Sequence, residues 1–250
     1  MHGMPHQSAV DHRFPDGRLR LLARWSAGSA VAAARYLVHR VPMYRRNRRH
    51  IEEPEPPDFT RDLIGDASTL QRPADGTGEL YHRRYHIAYT DGELGPEELM
   101  SKLLANPNAA TPVEVAHFEP VNTSDNESLC IGDELIVRLP GPWDGPVRIV
   151  DVTPTSFRFA TLRGHLEAGE IEFRSRTNEH GWVVFEIESW ARSGDRMFRW
   201  LNDHLPVARE LQLHMWSHFC ERVARIAKGI VMTNVEVHTC SLDQDRMVTS

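Results

Sequence analysis

The sequence predicts an α+β fold built on an antiparallel sheet, and three observations lead to that prediction. Hairpins follow one another through residues 132–192, where apolar and polar residues alternate and turns rich in Gly, Pro and Asn separate the runs. One strand-like run and one short helical run precede the hairpins, and a long helical run follows them. Strands joined by short turns pair antiparallel, and helices that flank such a series are typical of the α+β class.

The first elements of the folded part are a strand and a short helix. Residues 79–90 alternate, with Tyr and Ile on one face, and predict the first strand. The helix begins at Pro96, since proline is tolerated in the first turn and the acidic Glu97 and Glu98 complement the positive end of the helix dipole. Val113, Val115 and Phe118 predict a short strand that ends at Pro120.

The central hairpin spans Phe157–Phe173. Phe157 and Phe159 share one face of its first strand, and the polar turn that follows contains His165 and Glu167 as candidate functional side chains. A solvated loop tip is the simpler interpretation of those two polar residues. Further strand-like runs flank the hairpin on both sides.

The last helix is predicted over residues 205–229, and its apolar stripe includes Met215, Trp216 and Phe219, which we expect to face the sheet. Its other side is expected to be solvated and contains Glu210, His214, Ser217, His218, Glu221 and Arg225. His214 and His218 have the spacing of a metal-binding pair, but Met215 stands where the zinc-protease arrangement needs Glu. No metal site is therefore expected.

The turn of the central hairpin carries a specific run of residues: Thr161-Leu162-x-Gly164-His165-x-Glu167-x-Gly169-Glu170-x-x-Phe173. This run resembles the signature of an uncharacterised family of unknown function that occurs in bacteria and plants. The family is grouped with the START-like (helix-grip, SRPBCC) proteins of the lipid-transfer and polyketide-cyclase type. The chain departs from the family at Phe159-Ala160, where Tyr-Gly is frequent, and at Ile171, where a second Glu is frequent. The resemblance implies a curved sheet gripped by the C-terminal helix, and it implies no catalytic residue.

The chain then divides into five expected segments. These are a disordered tail (1–16), a basic helical extension (17–50), a linker or surface strap rich in Pro and acidic residues (51–78), the START-like domain (79–229), and a C-terminal tail with a candidate extra strand (230–250).

The charge is distributed unevenly along the chain. Residues 1–50 hold ten Arg and two acidic residues, whereas the remainder holds 19 basic and 33 acidic residues. The basic segment could pack on the acidic domain or on another subunit, or residues 18–49 could contact an anionic membrane surface. Nucleic acid is not expected as a partner, because no aromatic residues interleave with the Arg cluster.

The composition indicates a globular protein of the cytoplasm, with peripheral membrane contact as the alternative. Hydrophobic residues make up 40% of the chain and charged residues 26%. The sequence has neither an apolar run long enough to span a bilayer nor the pattern of a secretory signal. Three widely separated cysteines, Cys130, Cys220 and Cys240, do not suit a disulfide framework and are compatible with a reducing compartment.

The leading functional hypothesis is the binding of a hydrophobic or amphipathic small molecule between the sheet and the C-terminal helix. The predicted ligand-binding residues are Phe157, Phe159, Glu172, Glu188, Trp190, Met215, Trp216 and Phe219. The first alternative is an enzyme of the cyclase or hydrolase kind, using a pocket carboxylate or His. The second is a scaffold or interaction protein with a filled core. No cofactor is expected, and the sequence specifies neither the ligand nor the oligomeric state.

Overall fold

The computed structural model of the chain describes residues 43–49, 67–112, 116–124, 126–139, 144–194 and 206–242. The strands are β1 (Met43–Arg49), β2 (Thr77–Thr90), β3 (His117–Asn122), β4 (Glu134–Arg138), β5 (Asp144–Thr153), β6 (Ser156–Thr161), β7 (Glu167–Thr177), β8 (Val183–Ser193), β9 (Ile230–Val231) and β10 (Val235–Leu242). The α-helices are α1 (Pro96–Ala105) and α2 (Pro206–Ile226). Among the described residues, no helix is long and apolar enough to cross a membrane.

Within these ranges, the ten strands belong to one curved sheet. Their order is β1-β10-β2-β8-β7-β6-β5-β4-β3, and the short β9 pairs with β2. Neighbouring strands are antiparallel, except that β1 and β10 run parallel. From β3 to β8 the strands are adjacent in the order of the chain, as the succession of hairpins predicts.

The core lies between the two α-helices and one face of the sheet, here called the inner face. Phe157, Phe173 and Phe185 point from β6, β7 and β8 into this layer, and Leu99 of α1 and Phe219 of α2 belong to the same cluster. Each of these five side chains is at most 1% exposed. Full burial of such a side chain contributes about 1.5–3 kcal/mol. The predicted α+β class, with a C-terminal helix gripping a curved antiparallel sheet, is confirmed.

The N-terminal side differs from the prediction. Residues 43–49, expected within a helical extension over residues 17–50, form the edge strand β1 instead. Their backbone pairs in parallel with β10 along its length, which fixes them as an extended segment. Residues 1–42, 51–66 and 243–250 lie outside the described part of the chain, and so do the predictions that concern them.

Two other boundaries in the folded part can be compared with the sequence. The short strand expected to end at Pro120 overlaps β3, His117–Asn122, whose pairing with β4 begins at His117. Residues 113–115, where that prediction begins, lie outside the described residues. The region after α2, where an extra strand was a candidate, contains β9 and β10, and β10 lies between β1 and β2.

Gln71, in the segment before β2, fastens the turn of the central hairpin. Its side-chain amide donates to the main-chain oxygens of His165 (2.8 Å) and Glu167 (3.0 Å), and its Oε1 accepts from Gly164 N–H (3.0 Å). Its own backbone N–H donates to Thr161 O at 2.8 Å, and its carbonyl accepts from the Thr161 hydroxyl at 2.8 Å. Gln71 is 8% exposed. This part of the predicted linker is therefore packed against the folded domain.

We expect Gln71→Ala to lower the free energy of unfolding by about 2–4 kcal/mol, because side-chain hydrogen bonds to three backbone groups are lost and those groups are left unpaired. The matched control is Arg72→Ala at the exposed neighbouring position, where a change below about 0.5 kcal/mol is expected. Urea denaturation followed by circular dichroism measures both variants. Equal stability of Gln71→Ala and the wild type would contradict the anchoring role.

Candidate functional site

The candidate site is an aromatic layer between the inner face of the sheet and α2. It consists of Phe157, Phe159, Phe173, Trp216 and Phe219, all of them buried. The ring of Phe173 lies at its centre, with centroid distances of 4.9 Å to Phe157 and 5.5 Å to both Trp216 and Phe219. Contacts of this kind contribute about 0.5–1.5 kcal/mol per pair beyond area burial. Four of the five are predicted ligand-binding residues, and the structure brings them together around Phe173, which the prediction omitted.

A polar cluster joins α2 to strands β2 and β7 beside this layer. Arg83 Nη1 donates to Gln212 Oε1 at 2.7 Å, and Gln212 Nε2 donates to Glu167 Oε2 at 2.8 Å. Arg83 Nη1 also lies 3.5 Å from Glu167 Oε1, and the Arg83 side chain is 5% exposed. Glu167 therefore supplies the opposite charge that a buried guanidinium requires. Because Gln212 precedes Trp216 by one helical turn, the cluster adjoins the aromatic layer.

Trp216 brings an unused hydrogen-bond donor into the aromatic layer. Trp216 is 7% exposed, and its Nε1–H has no acceptor among the residues that the structure describes. Leaving a buried donor unsatisfied costs about 1–3 kcal/mol, and such groups are uncommon in native structures. Met215, another predicted ligand residue, belongs to the same hydrophobic core. The indole N–H is thus a group through which the layer can recognise a polar atom.

Three predicted ligand-binding residues lie on the opposite, outer face of the sheet. Glu172 is adjacent to the inward-pointing Phe173 in β7, and successive side chains of a strand point to opposite faces. Glu188 is the direct cross-strand partner of Glu172, and Trp190 follows two residues later on the same face. The structure therefore does not bring these three together with the other five predicted residues.

The outer face carries a buried ion network instead. His82 Nε2 lies 2.7 Å from Glu188 Oε1, and Arg174 Nη2 lies 2.5 Å from Glu188 Oε2. Arg174 also pairs with Glu186, and Arg84 Nη2 lies 3.4 Å from Glu186 Oε2. The Glu186 and Glu188 side chains are 6% and 7% exposed. Their charges are largely removed from water and depend on the neighbouring cations.

The network keeps Glu188 ionised. Burial alone would raise the pKa of this carboxyl, but the hydrogen bond with His82 and the charges of Arg174 and Arg84 outweigh burial, so the pKa of Glu188 lies below its ordinary value of 4.5. Trp190 stacks on the His82 ring, with centroids 4.7 Å apart. A carboxyl held ionised in this way is suited to ion pairing rather than to proton donation.

The two loop candidates, His165 and Glu167, have different roles. His165 Nδ1 accepts a hydrogen bond from Glu167 N–H at 2.9 Å, which closes the turn. The imidazole packs against Gly145, where a β-carbon would lie 2.8 Å from His165 Nε2. Burial lowers the pKa of His165 below its ordinary value, although the nearby charge of Glu167 acts to raise it. The ring is therefore neutral at pH 7. Of the two, His165 shapes the turn and Glu167 reaches the polar cluster.

Two further residues of the hairpin signature hold strands together. Gly169 N–H donates to the Thr161 hydroxyl oxygen at 2.9 Å. A β-carbon at Gly169 would lie 2.0 Å from the carbonyl oxygen of Trp190, so no larger residue fits between β7 and β8. These parts of the signature serve backbone packing and hydrogen bonding, whereas Glu167 and Phe173 belong to the polar cluster and the aromatic layer.

The side of α2 that the sequence predicts as solvated is partly buried. His214 is 4% exposed and Ser217 is fully buried, with Ser217 Oγ donating to the Leu213 carbonyl at 2.8 Å. The rings of His214 and His218 lie edge to face, 4.2 Å apart. The stripe of α2 that joins the core is wider than predicted, and it also includes Leu213, Cys220 and Ala224.

Comparisons with known proteins extend these observations. The model of a Domain of unknown function (DUF1990) matches residues 114–222, which contain the central hairpin. The chain is similar in fold to norcoclaurine synthase from Thalictrum flavum, with 9% identity, a TM-score of 0.44, and coverage of 67% of this chain and 98% of that one.

It is also similar to the di-domain ARO/CYC StfQ from the steffimycin biosynthetic pathway, with 10% identity, a TM-score of 0.44, and coverage of 62% of this chain and 52% of that one. A third is the hypothetical protein jhp0584 from Helicobacter pylori, with 7% identity, a TM-score of 0.41, and coverage of 58% and 86%. A search of curated proteins finds no match. These similarities assign no role to any residue.

We expect Glu188→Gln to lower the free energy of unfolding at pH 7 by about 1–2 kcal/mol, because charge-assisted hydrogen bonds become neutral ones. Since the folded pKa of Glu188 is depressed, its contribution is present above about pH 4.5 and is lost as the pH falls through the folded pKa. The variant should therefore lose less stability than the wild type over that acidic range. Urea denaturation at a series of pH values measures both effects.

Glu179→Gln is the matched control, since the Glu179 side chain is 87% exposed. A Glu188→Gln variant whose stability follows the wild-type pH profile would show that the carboxylate is not held ionised by the network.

Proposed function

We propose that the chain binds a hydrophobic or amphipathic small molecule between the inner face of the sheet and α2. The observation that carries the proposal is the buried Nε1–H of Trp216, which has no acceptor among the described residues. An acceptor atom on a ligand would satisfy this donor, and the surrounding aromatic rings would contact the apolar part of the same molecule. The hairpin signature suggests that the chain belongs to the START-like superfamily, and this membership agrees with the proposed function.

The polar cluster gives the ligand an orientation. Arg83, Glu167 and Gln212 bridge the sheet and α2 one helical turn from Trp216. A molecule with a polar end could exchange hydrogen bonds with Gln212 or Arg83 while its apolar end enters the aromatic layer. This arrangement favours an amphipathic ligand over a wholly apolar one, because a wholly apolar molecule would leave the buried N–H of Trp216 unpaired.

The packing of the aromatic layer also supports a second candidate, a scaffold or interaction protein with a filled core. The rings of Phe157, Phe173, Trp216 and Phe219 already contact one another, so a ligand enters only if α2 or a ring moves. For the enzymatic alternative, Glu172 and Glu188 lie on the outer face, which leaves Glu167 as the predicted carboxylate that adjoins the layer.

Native mass spectrometry of the purified wild-type chain is expected to show an additional bound mass that unfolding releases. In Trp216→Phe, which keeps an aromatic ring but lacks the N–H, we expect about fivefold weaker retention, since one hydrogen bond contributes about 1 kcal/mol. Trp182→Phe is the matched control, because Trp182 is half-buried beside His180 in the β7–β8 turn. It should retain the mass as the wild type does.

If the wild-type chain, like Trp216→Phe, carries no additional bound mass, the result would contradict ligand binding. That result would favour the filled core instead.

We propose further that the basic N-terminal segment contacts an anionic membrane surface. Residues 1–42 contain six of the ten Arg in the first 50 residues, and each basic residue near an anionic surface contributes about 1 kcal/mol. Deleting residues 1–42, which keeps β1, should therefore weaken binding to vesicles containing phosphatidylserine by at least about tenfold. Vesicles of phosphatidylcholine alone are the control. Equal sedimentation of both proteins with the anionic vesicles would show that the segment packs on protein instead.

A further inference from the structure

Three potential metal ligands meet on the outer face where β2 and β10 pair. They are His86 on β2 and Glu236 and His238 on β10, each of them half-buried, and their ligand atoms all lie within 4.8 Å of one another. The two imidazole rings lie nearly parallel, with centroids 5.9 Å apart and an interplanar angle of 6°. Both rings thus present a nitrogen to the same small region of space.

The strand register produces this arrangement. Glu236 is the direct cross-strand partner of His86, and His238 follows Glu236 by two residues, so all three side chains point to the same face. The backbones of two paired strands hold them, which limits how far they can separate. This placement has no counterpart in the sequence, where His86 lies near one end of the folded domain and the other two lie near the other end.

The distances suit ligands of a metal ion better than hydrogen-bond partners. Glu236 Oε2 lies 3.5 Å from His86 Nε2 and 3.7 Å from His238 Nε2. Both separations exceed the usual hydrogen-bond length. In a tetrahedral zinc site with bonds of about 2.0–2.1 Å, neighbouring ligand atoms are about 3.3–3.4 Å apart. A small rotation of each side chain would bring the three atoms to that spacing.

We propose that His86, Glu236 and His238 bind a zinc ion. Two imidazoles and one carboxylate are a ligand set that Zn²⁺ accepts, and a water molecule would complete the tetrahedron on the solvent side. The ion would join β2 to β10 and so add a cross-link between the start and the end of the folded domain. The sequence predicted no metal site, because its only candidate pair was His214 and His218 on α2.

Charges of both signs surround the cluster. Glu186 lies directly across from His86 on β8, but its carboxylate pairs with Arg174 and Arg84. Arg84 on β2 and Arg46 on β1 are the cross-strand partners of His238, so the negative charge that the cluster offers a cation is that of Glu236. The site lies on the face of the sheet opposite the aromatic layer, so it stands independently of the proposed small-molecule site.

Isothermal titration of the full, chelator-treated chain with Zn²⁺ tests the proposal. We expect one ion per chain, and at least about tenfold weaker binding in His238→Ala and in Glu236→Gln, since each removes one ligand. Glu236→Gln keeps the size of the side chain, so it remains informative if His238→Ala folds poorly. His180→Ala, at an exposed turn position, should bind as the wild type does. Zinc should also raise the thermal midpoint of the wild type more than that of Glu236→Gln.

Two results would overturn the proposal. One is the absence of saturable zinc binding in the wild type. The other is binding that persists in Glu236→Gln and His238→Ala but is lost in His218→Ala, which would place the ion on α2. Substitution with Co²⁺ gives an independent readout, because a tetrahedral site that includes His86 and His238 should show a visible absorption band that His238→Ala abolishes.

Discussion

The alternation of side chains along β7 and β8 is the constraint on which the rest of the structure depends. It places Phe173, Phe185 and Ile187 on the inner face and Glu172, Glu186 and Glu188 on the outer face of the same strands. Phe173, Phe185 and Ile187 are buried, and so are Glu186 and Glu188, so these two strands hold an apolar layer on one side and largely desolvated carboxylates on the other. A slip of one residue in the pairing would exchange the two layers, and each would then meet an environment that excludes it.

The sequence predicts the local elements well because their signals are local. Period-two runs, proline at Pro96 and the glycine-rich turns locate the hairpins and helices to within a few residues. The same alternation places Glu172 and Phe173 on opposite faces of their strand, and the sequence alone is enough to show it. Which of the two faces carries the ligand-binding residues was left open at the sequence level, because it depends on the face that α2 covers. The burial of His214 and Ser217 could not be foreseen, since it depends on how deeply the sheet encloses α2.

Other features depend on contacts between distant parts of the chain. Gln71 lies in a segment whose composition indicates a linker. Its stabilising role comes from hydrogen bonds to the backbone of the hairpin turn, which is distant in the sequence. His86 and Glu236 are neighbours because β10 inserts beside β2. The spacing of His86 and Glu236 in the sequence does not reveal that β2 and β10 pair in this register. Thr161 and Gly169 of the hairpin signature serve strand packing and Gln71 anchors its turn, whereas Glu167 and Phe173 of the signature reach the candidate site.

The parallel pairing of β1 with β10 has a consequence for how the protein is made. The two strands come from opposite ends of the described chain, and β10 must be present before β1 has a partner in the sheet. During synthesis, the hairpins from β3 to β8 can form soon after each emerges, whereas the far side of the sheet waits for residues 235–242. A nascent chain that has not yet reached residues 235–242 therefore has one flank of its sheet open, and that flank closes only when β10 becomes available to pair with β2 and β1.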